Sequence, residues 1–252
     1  MGRKTFQPEL KSLAEKIATR ITNIFVNYVE VLRPDTGSDK TLLPEKERHE
    51  WIKSLEIWRN GNQLAYAAIH PNFTYLCKAQ EEQDVIAIYH QLIGCGILKG
   101  LYFYSSEYNE KYDGLFEYNY KEESLLFSEE NPLGVRNDMP IPSLSEPKII
   151  EYKFDFDSIL DDIEKNKKFF EHIHLVVCWK ATGDYKQNLQ LKSLLLEEEG
   201  NVRTIYGATH LGFLPDRMSN HKIEVIILEE FLNFLTDRDT EIANQKVKYD
   251  YK

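Results

Sequence analysis

The chain has 252 residues, 42% of them hydrophobic and 29% charged, enough apolar content for one large packed domain or two small ones and too much for wholesale disorder. No apolar run approaches the roughly 20 residues of a membrane helix, and MGRKTFQPELK has no apolar segment after its basic residues, unlike a secretory signal. A net charge of −10 is awkward for a free-standing nucleic-acid binder, because phosphate contacts rely on Lys and Arg, but it describes the whole surface and leaves room for a local basic groove.

From Glu9 to Leu32, apolar residues at three- and four-residue steps (Leu13, Ile17, Ile21, Ile24, Tyr28) predict a helix. RPDTGSDKTLLPEKE reads as a loop. A second helix follows from Pro44 with Trp51, Leu55 and Trp58 on one face, and it breaks at Asn60-Gly61-Asn62. QEEQDVIAIYHQLIGCG is a third helix, striped by Val85, Ile88, Tyr89 and Leu92, with Glu82 in its first turn on the inward side. ILKGLYFYS and KYDGLFEYNY read as strands, a further short strand is predicted over 123–127, and EENPLGVRNDMPIPSLSEP is loop-rich.

In PKIIEYKFDF, Ile150, Tyr152, Phe154 and Phe156 alternate with Glu151, Lys153 and Asp155, as on a strand with one oily and one charged face. DSILDDIEKNKKFF has helical spacing, with Asp157 or Ser158 as its cap. IHLVVCWK is an apolar run suited to a strand buried on both faces. Strand, helix and strand form a βαβ unit with parallel strands. LQLKSLLLEEEG is read as a helix, VRTIYGATH as a strand or extended loop, and KIEVIILEEFLNFL as a strand running into a helix. The chain is therefore expected to be α/β. Residues 1–70 form a helical N-terminal segment packed on or leading into the core, 71–240 the α/β core, and 241–252 a frayed tail.

Placing Asp113 and the Glu151/Lys153 pair on neighbouring strands brings two carboxylates and an ammonium together. That set suits Mg²⁺, which takes one or two carboxylates and keeps waters and phosphate oxygens. Glu82 and the Tyr152 carbonyl are further candidate ligands. Taken singly, the E-x-K strand reads as a solvated face, Asp113-Gly114 as a turn and Glu82 as a first-turn helix carboxylate. The order of the segments is more specific than any one of them.

The helix with Glu82, KYDGLFEY, PKIIEYKFDFDSILDDIE and HLVVCWK together resemble the PD-(D/E)xK nuclease superfamily, although Tyr112 stands where the name has Pro. With NPLG and YGATHLGFL they look like the nuclease-like module at the C-terminal end of certain prokaryotic GHKL-type (gyrase/histidine-kinase-like) ATPases. The resemblance implies a restriction-endonuclease-like mixed sheet flanked by helices. It implies Asp113 and Glu151 as metal ligands, Lys153 as catalytic lysine, and a role for Glu82. It also implies a Mg²⁺-dependent endonuclease, with Mn²⁺ substituting, acting on nucleic acid (DNA more than RNA) in an oligomeric prokaryotic defence or DNA-processing assembly. No Walker A pattern occurs, so an ATPase would be another chain or another part of the protein. The alternative is a non-catalytic nucleic-acid-binding or assembly module on the same fold.

Cys77, Cys95 and Cys178 are odd in number and far apart, which fits reduced thiols in the cytoplasm. His172 and His174 lack further zinc ligands and read as a strand entry. His210 lies in a predicted loop from which it could approach the site.

Overall fold

The computed structural model describes residues 15–20, 43–105, 111–119, 123–136, 146–165, 167–183, 189–196, 202–214 and 221–249. The chain divides into two compact units, Met1–Gly61 and Asn62–Lys252. In the first, residues 15–20 are helical, and helix α1 spans Leu43–Gly61 and ends in the Asn-Gly-Asn breaker. The rest of the helix predicted over 9–32, and the loop up to 42, lie outside the described residues. No helix among the described residues is long and apolar enough to cross a membrane.

The second unit is built on a seven-stranded mixed sheet. Its strands are β1 (Leu101–Ser105), β2 (Gly114–Tyr118), β3 (Lys148–Asp155), β4 (Ile173–Lys180), β5 (Gln190–Ser193), β6 (His210–Phe213) and β7 (Ile223–Ile227). Their order is β1-β2-β3-β4-β7-β6-β5. The central strands β3, β4 and β7 run parallel, and antiparallel pairs flank them on both sides. The helices are α2 (Ala65–Ile69), α3 (Glu82–Gly94), α4 (Asp157–Glu164), α5 (Leu228–Thr236) and α6 (Arg238–Lys248). The α/β class, the mixed sheet and the parallel βαβ unit β3-α4-β4 are thus present.

Alternation along β3 sorts the core into two layers. Ile150 and Tyr152 join Val85, Ile88 and Tyr89 of α3 and Phe231 of α5 in one cluster, with Leu175 and Val177 of β4. On the opposite face Val176 and Cys178 of β4 pack with Ile159 and Leu160 of α4, Phe156 and Phe170. Glu151 and Lys153 lie on this second face, at the margin of the layer that α4 covers.

Several expectations need correction. Residues 123–127 form no strand: Glu123–Leu125 is a 3-10 turn, followed by an isolated Leu126–Val135 bridge. Gly134 allows that approach, since a Cβ there would lie 2.4 Å from the Leu126 carbonyl oxygen. LQLKSLLL is not a helix. Its first half is strand β5, recruited by the open edge of β6, so tertiary pairing overrides the helical leucine spacing. Helix α4 stops at Glu164, and Phe170 sits in a separate 3-10 turn. Neither Asp157 nor Ser158 caps it: Phe156 holds the cap position, and Asp155 Oδ1 accepts the Asp157 N–H at 3.2 Å.

The tail expected to fray is helical to Lys248. Glu241 and Gln245 are buried, and Gln245 donates to Glu230 (2.6 Å) and Glu241 (2.7 Å), so its polar residues fill an internal network instead of meeting water.

The start of α3 is closed by a capping box between Glu81 and Asp84. Asp84 also accepts the Gln80 N–H at 2.8 Å and the Tyr75 hydroxyl. Asp84→Ala is expected to cost about 1–2 kcal/mol in urea denaturation.

Glu224 of β7 is buried and accepts the Thr204 N–H (2.6 Å) and hydroxyl (2.7 Å). Burial pushes its carboxyl up to about 7 despite those bonds. The folded state therefore takes up a proton before the unfolded state does. Relative to Glu224→Gln, the wild type gains stability as pH falls from about 7 towards the ordinary carboxylate range, by up to about 1.4 kcal/mol per pH unit, and loses that gain as pH rises through about 7. Paired urea titrations at acidic and alkaline pH read the difference.

Candidate active site

Adjacent antiparallel strands bring Asp113 and Glu151 together. Gly114, the residue after Asp113, pairs with Ile150, the residue before Glu151. Asp113 is then fixed by main chain: its Oδ2 accepts the Tyr152 N–H at 2.8 Å. In an extended strand a residue's N–H and C=O leave the same edge. The Tyr152 carbonyl therefore faces the Asp113 side of β3, while its side chain lies in the opposite core layer, with its hydroxyl 3.2 Å from His90 Nε2.

Glu151 contradicts the solvated-face reading of its strand, because it is 0% exposed. One carboxylate oxygen, Oε2, is held by the Lys168 ammonium, and the other, Oε1, is buried without a hydrogen-bond partner. Lys168 Nζ also lies 3.5 Å from Asp113 Oδ1, so a single buried ammonium bridges both carboxylates. Burial, with the Asp113 charge alongside, pushes the Glu151 carboxyl up to about 8 against the pull of Lys168.

Lys153 projects to the same face, and its ammonium is 3.2 Å from Asp162 Oδ2 of α4 and 3.8 Å from Glu82 Oε2 of α3. Burial pulls its pKa down, but Asp113, Glu82 and Asp162 outweigh that pull and hold it above the ordinary lysine value. Lys153 is therefore an ammonium at neutral pH. Glu82 is half-buried. Desolvation raises its carboxyl, Lys153 opposes the rise, and Asp113 and Asp162 add to it.

Glu82, Asp113, Glu151 and Lys153 thus converge from α3, the residue just before β2, and β3. Asp162 and Lys168 belong to the same cluster and were not expected there. Asp162 had a signal: it lies three residues after Ile159, on the flank of α4 that faces inward. Lys168 had none, since it sits in a turn where the Lys167 and Lys168 N–H groups both donate to the Asp162 carbonyl (2.9 and 3.2 Å).

Other candidates lie elsewhere. His210 is fully buried, with Nε2 3.2 Å from Gln245 Oε1 and 3.3 Å from Glu230 Oε2, so it does not approach the carboxylates. His172 meets the Tyr112 hydroxyl at 2.7 Å, and His174 accepts the Ile149 N–H at 3.3 Å. Asp155 is 3.7 Å from Lys180. NPLG and YGATHLGFL hold each other: Gly207 N–H donates to the Leu133 carbonyl at 3.0 Å, and the Tyr206 hydroxyl donates to Asn131 Oδ1 at 2.9 Å.

Among the described residues no group of three or more His, Cys, Asp or Glu is arranged to hold a metal ion. A two-carboxylate site remains chemically suited to Mg²⁺, which is content with one or two protein carboxylates. Glu151 Oε1, buried and without a hydrogen-bond partner, is a hard oxygen of the kind that Mg²⁺ takes. Comparisons with family models, with curated proteins and with solved structures give no match.

Proposed function

We propose that this chain is a metal-dependent endonuclease that hydrolyses phosphodiester bonds, using Mg²⁺ or Mn²⁺ at Asp113 and Glu151. The supporting observation is the pairing of those carboxylates around one cation, with Glu151 fully buried, one of its oxygens unpartnered, and Lys153 on the same sheet face. A solvated strand face would have no reason to bury Glu151, since an uncompensated carboxylate is costly to desolvate. The preference for DNA, an oligomeric prokaryotic defence or DNA-processing assembly and an ATPase partner rest on the resemblance to the PD-(D/E)xK superfamily and its GHKL-associated module, and the cytoplasmic location rests on the three scattered cysteines.

In this reading Asp113 and Glu151 hold the cation, the Tyr152 carbonyl offers a neutral donor on the same edge, and the Tyr152 N–H fixes the Asp113 rotamer. When bound, the divalent ion supplies positive charge to the scissile phosphate and makes a water more acidic. Lys153, already charged, acts as a donor to phosphate oxygens and not as a proton acceptor. Glu82 and Asp162 position that ammonium from two helices.

The test is a cleavage assay with Mg²⁺ or Mn²⁺ on single- and double-stranded DNA and RNA, comparing wild type with Asp113→Ala. Cleavage by wild type and its loss in the variant are expected. Undiminished cleavage by Asp113→Ala would overturn the assignment. Metal binding without cleavage of any substrate would favour the non-catalytic module.

A further inference from the structure

The cation between Asp113 and Glu151 comes from the protein itself. Lys168 is 8% exposed, bonds Glu151 Oε2 and lies 3.5 Å from Asp113 Oδ1, so its ammonium sits between the two carboxylates that would hold a divalent ion. Its pairing is incomplete, because Glu151 Oε1 is buried and unpartnered. One ammonium cannot satisfy the full acceptor capacity of two carboxylates. The wider cluster is also under-neutralised. Glu82, Asp113, Glu151 and Asp162 face two buried ammonium groups, Lys153 and Lys168, and the exposed Lys167 3.8 Å from Asp162, leaving a formal excess of one negative charge if all are ionised.

The segment carrying Lys168 is a turn beyond the end of α4, held to the helix by main-chain bonds to Asp162, and not a strand residue locked by ladder pairing. Asp162 also pairs with Lys153, so the same residue anchors the Lys168 turn and the candidate catalytic lysine. Lysine has a long flexible stem, unlike the fixed fork of arginine, and can withdraw its head while the stem stays packed.

We propose that Lys168 is an internal counter-ion that holds the Asp113–Glu151 cradle in the metal-free protein and is displaced when a divalent cation binds. This inference rests on the metal-dependent reading above. Lys168 is then a positioning residue that keeps the two carboxylates apart from each other's repulsion and ready for a stronger cation. It also sets a threshold: metal must compete with a tethered ammonium before the site is complete.

Two measurements on the full chain test this. Mn²⁺ binding followed by electron paramagnetic resonance is compared for wild type, Lys168→Met and Asp113→Ala, with folding checked by circular dichroism. Lys168→Met is expected to bind Mn²⁺ at least about tenfold more tightly than wild type, because the competitor is gone. Asp113→Ala is expected to lose binding. In wild type, which raises no folding concern, acetylation of Lys168 by an N-hydroxysuccinimide ester is read by mass spectrometry. Labelling is expected to be slow in EDTA and several-fold faster once Mn²⁺ saturates the site.

Equal Mn²⁺ affinity in wild type and Lys168→Met, weaker binding by Lys168→Met, or unchanged Lys168 labelling on saturation would overturn the displacement and leave the metal site standing. No Mn²⁺ binding by either protein at millimolar concentration would remove the metal reading and the displacement together.

Discussion

In the proposed nuclease, Lys153→Ala is expected to lower the single-turnover rate of phosphodiester cleavage by about 10³-fold, with substrate binding weakened far less. A preorganised donor aimed at developing negative charge is worth roughly 10²–10³ in rate, and Lys153 is preorganised from two sides. Its ammonium lies between Asp162 at 3.2 Å and Glu82 at 3.8 Å, and its side chain is 12% exposed, so little reorganisation separates the resting geometry from one that meets a phosphate. The two neighbours are not equivalent. Asp162 is the shorter and less exposed contact and sits on the helix that crosses from β3 to β4. Asp162→Asn is therefore expected to lower the rate more than Glu82→Gln, though less than loss of the lysine itself.

A structural role alone gives a different pattern. If Lys153 only offsets local charge, Lys153→Ala lowers the urea midpoint and leaves the rate per folded molecule unchanged. Measuring rate and stability on the same preparation separates the two. Cleavage that survives Lys153→Ala in folded protein would remove the catalytic assignment.

The sequence makes the centre of this fold legible because that part obeys simple periods. Alternation through Ile150 and Tyr152, a helical step through Ile159 and Ile163, and the apolar run IHLVVCWK each match the element found. Asp113 and Glu151 are placed by the same logic, since strand neighbours separated by a loop-rich stretch commonly pair. What the pattern conceals is burial. Glu151 looks solvent-facing by alternation, yet α4 and the turn after it cover that face. The contribution of Lys168 depends on α4 stopping at Glu164, well short of Phe170. The one stop signal in the sequence, Asn166 just after the Lys165 cap, is obscured by the helical spacing through Ile163 and Phe170. Leucine spacing in LQLKSLLL favours a helix, while the unpaired edge of β6 favours a strand, and the longer-range pairing prevails. Likewise Glu241 and Gln245 read as exposed tail because a polar network and a solvated helix have the same composition.

Arg203→Met is expected to cost about 3–5 kcal/mol in urea denaturation. Arg203 is 3% exposed, and its guanidinium donates to four main-chain carbonyls: Ala208 (2.8 Å), Pro132 (2.8 Å), Gly134 (3.1 Å) and Leu194 (2.5 Å). Those acceptors belong to three separate segments with no regular ladder to satisfy them. Burial lowers the arginine pKa to about 10, which still leaves it charged at neutral pH, and Glu224 supports that charge. Methionine fills comparable volume but orphans the four carbonyls, each of which carries a desolvation cost of about 1–3 kcal/mol when left unpaired in the interior. Relaxation and water entry keep the total below the simple sum. Arg203→Lys separates charge from geometry. A lysine retains the positive charge but cannot direct donors along the fixed planar fork that reaches all four acceptors, so it is expected to recover only part of the loss. Equal stability of wild type and Arg203→Lys in urea denaturation would show that charge, and not the fork, joins these loops. Equal stability of wild type and Arg203→Met would remove Arg203 from the structural account altogether.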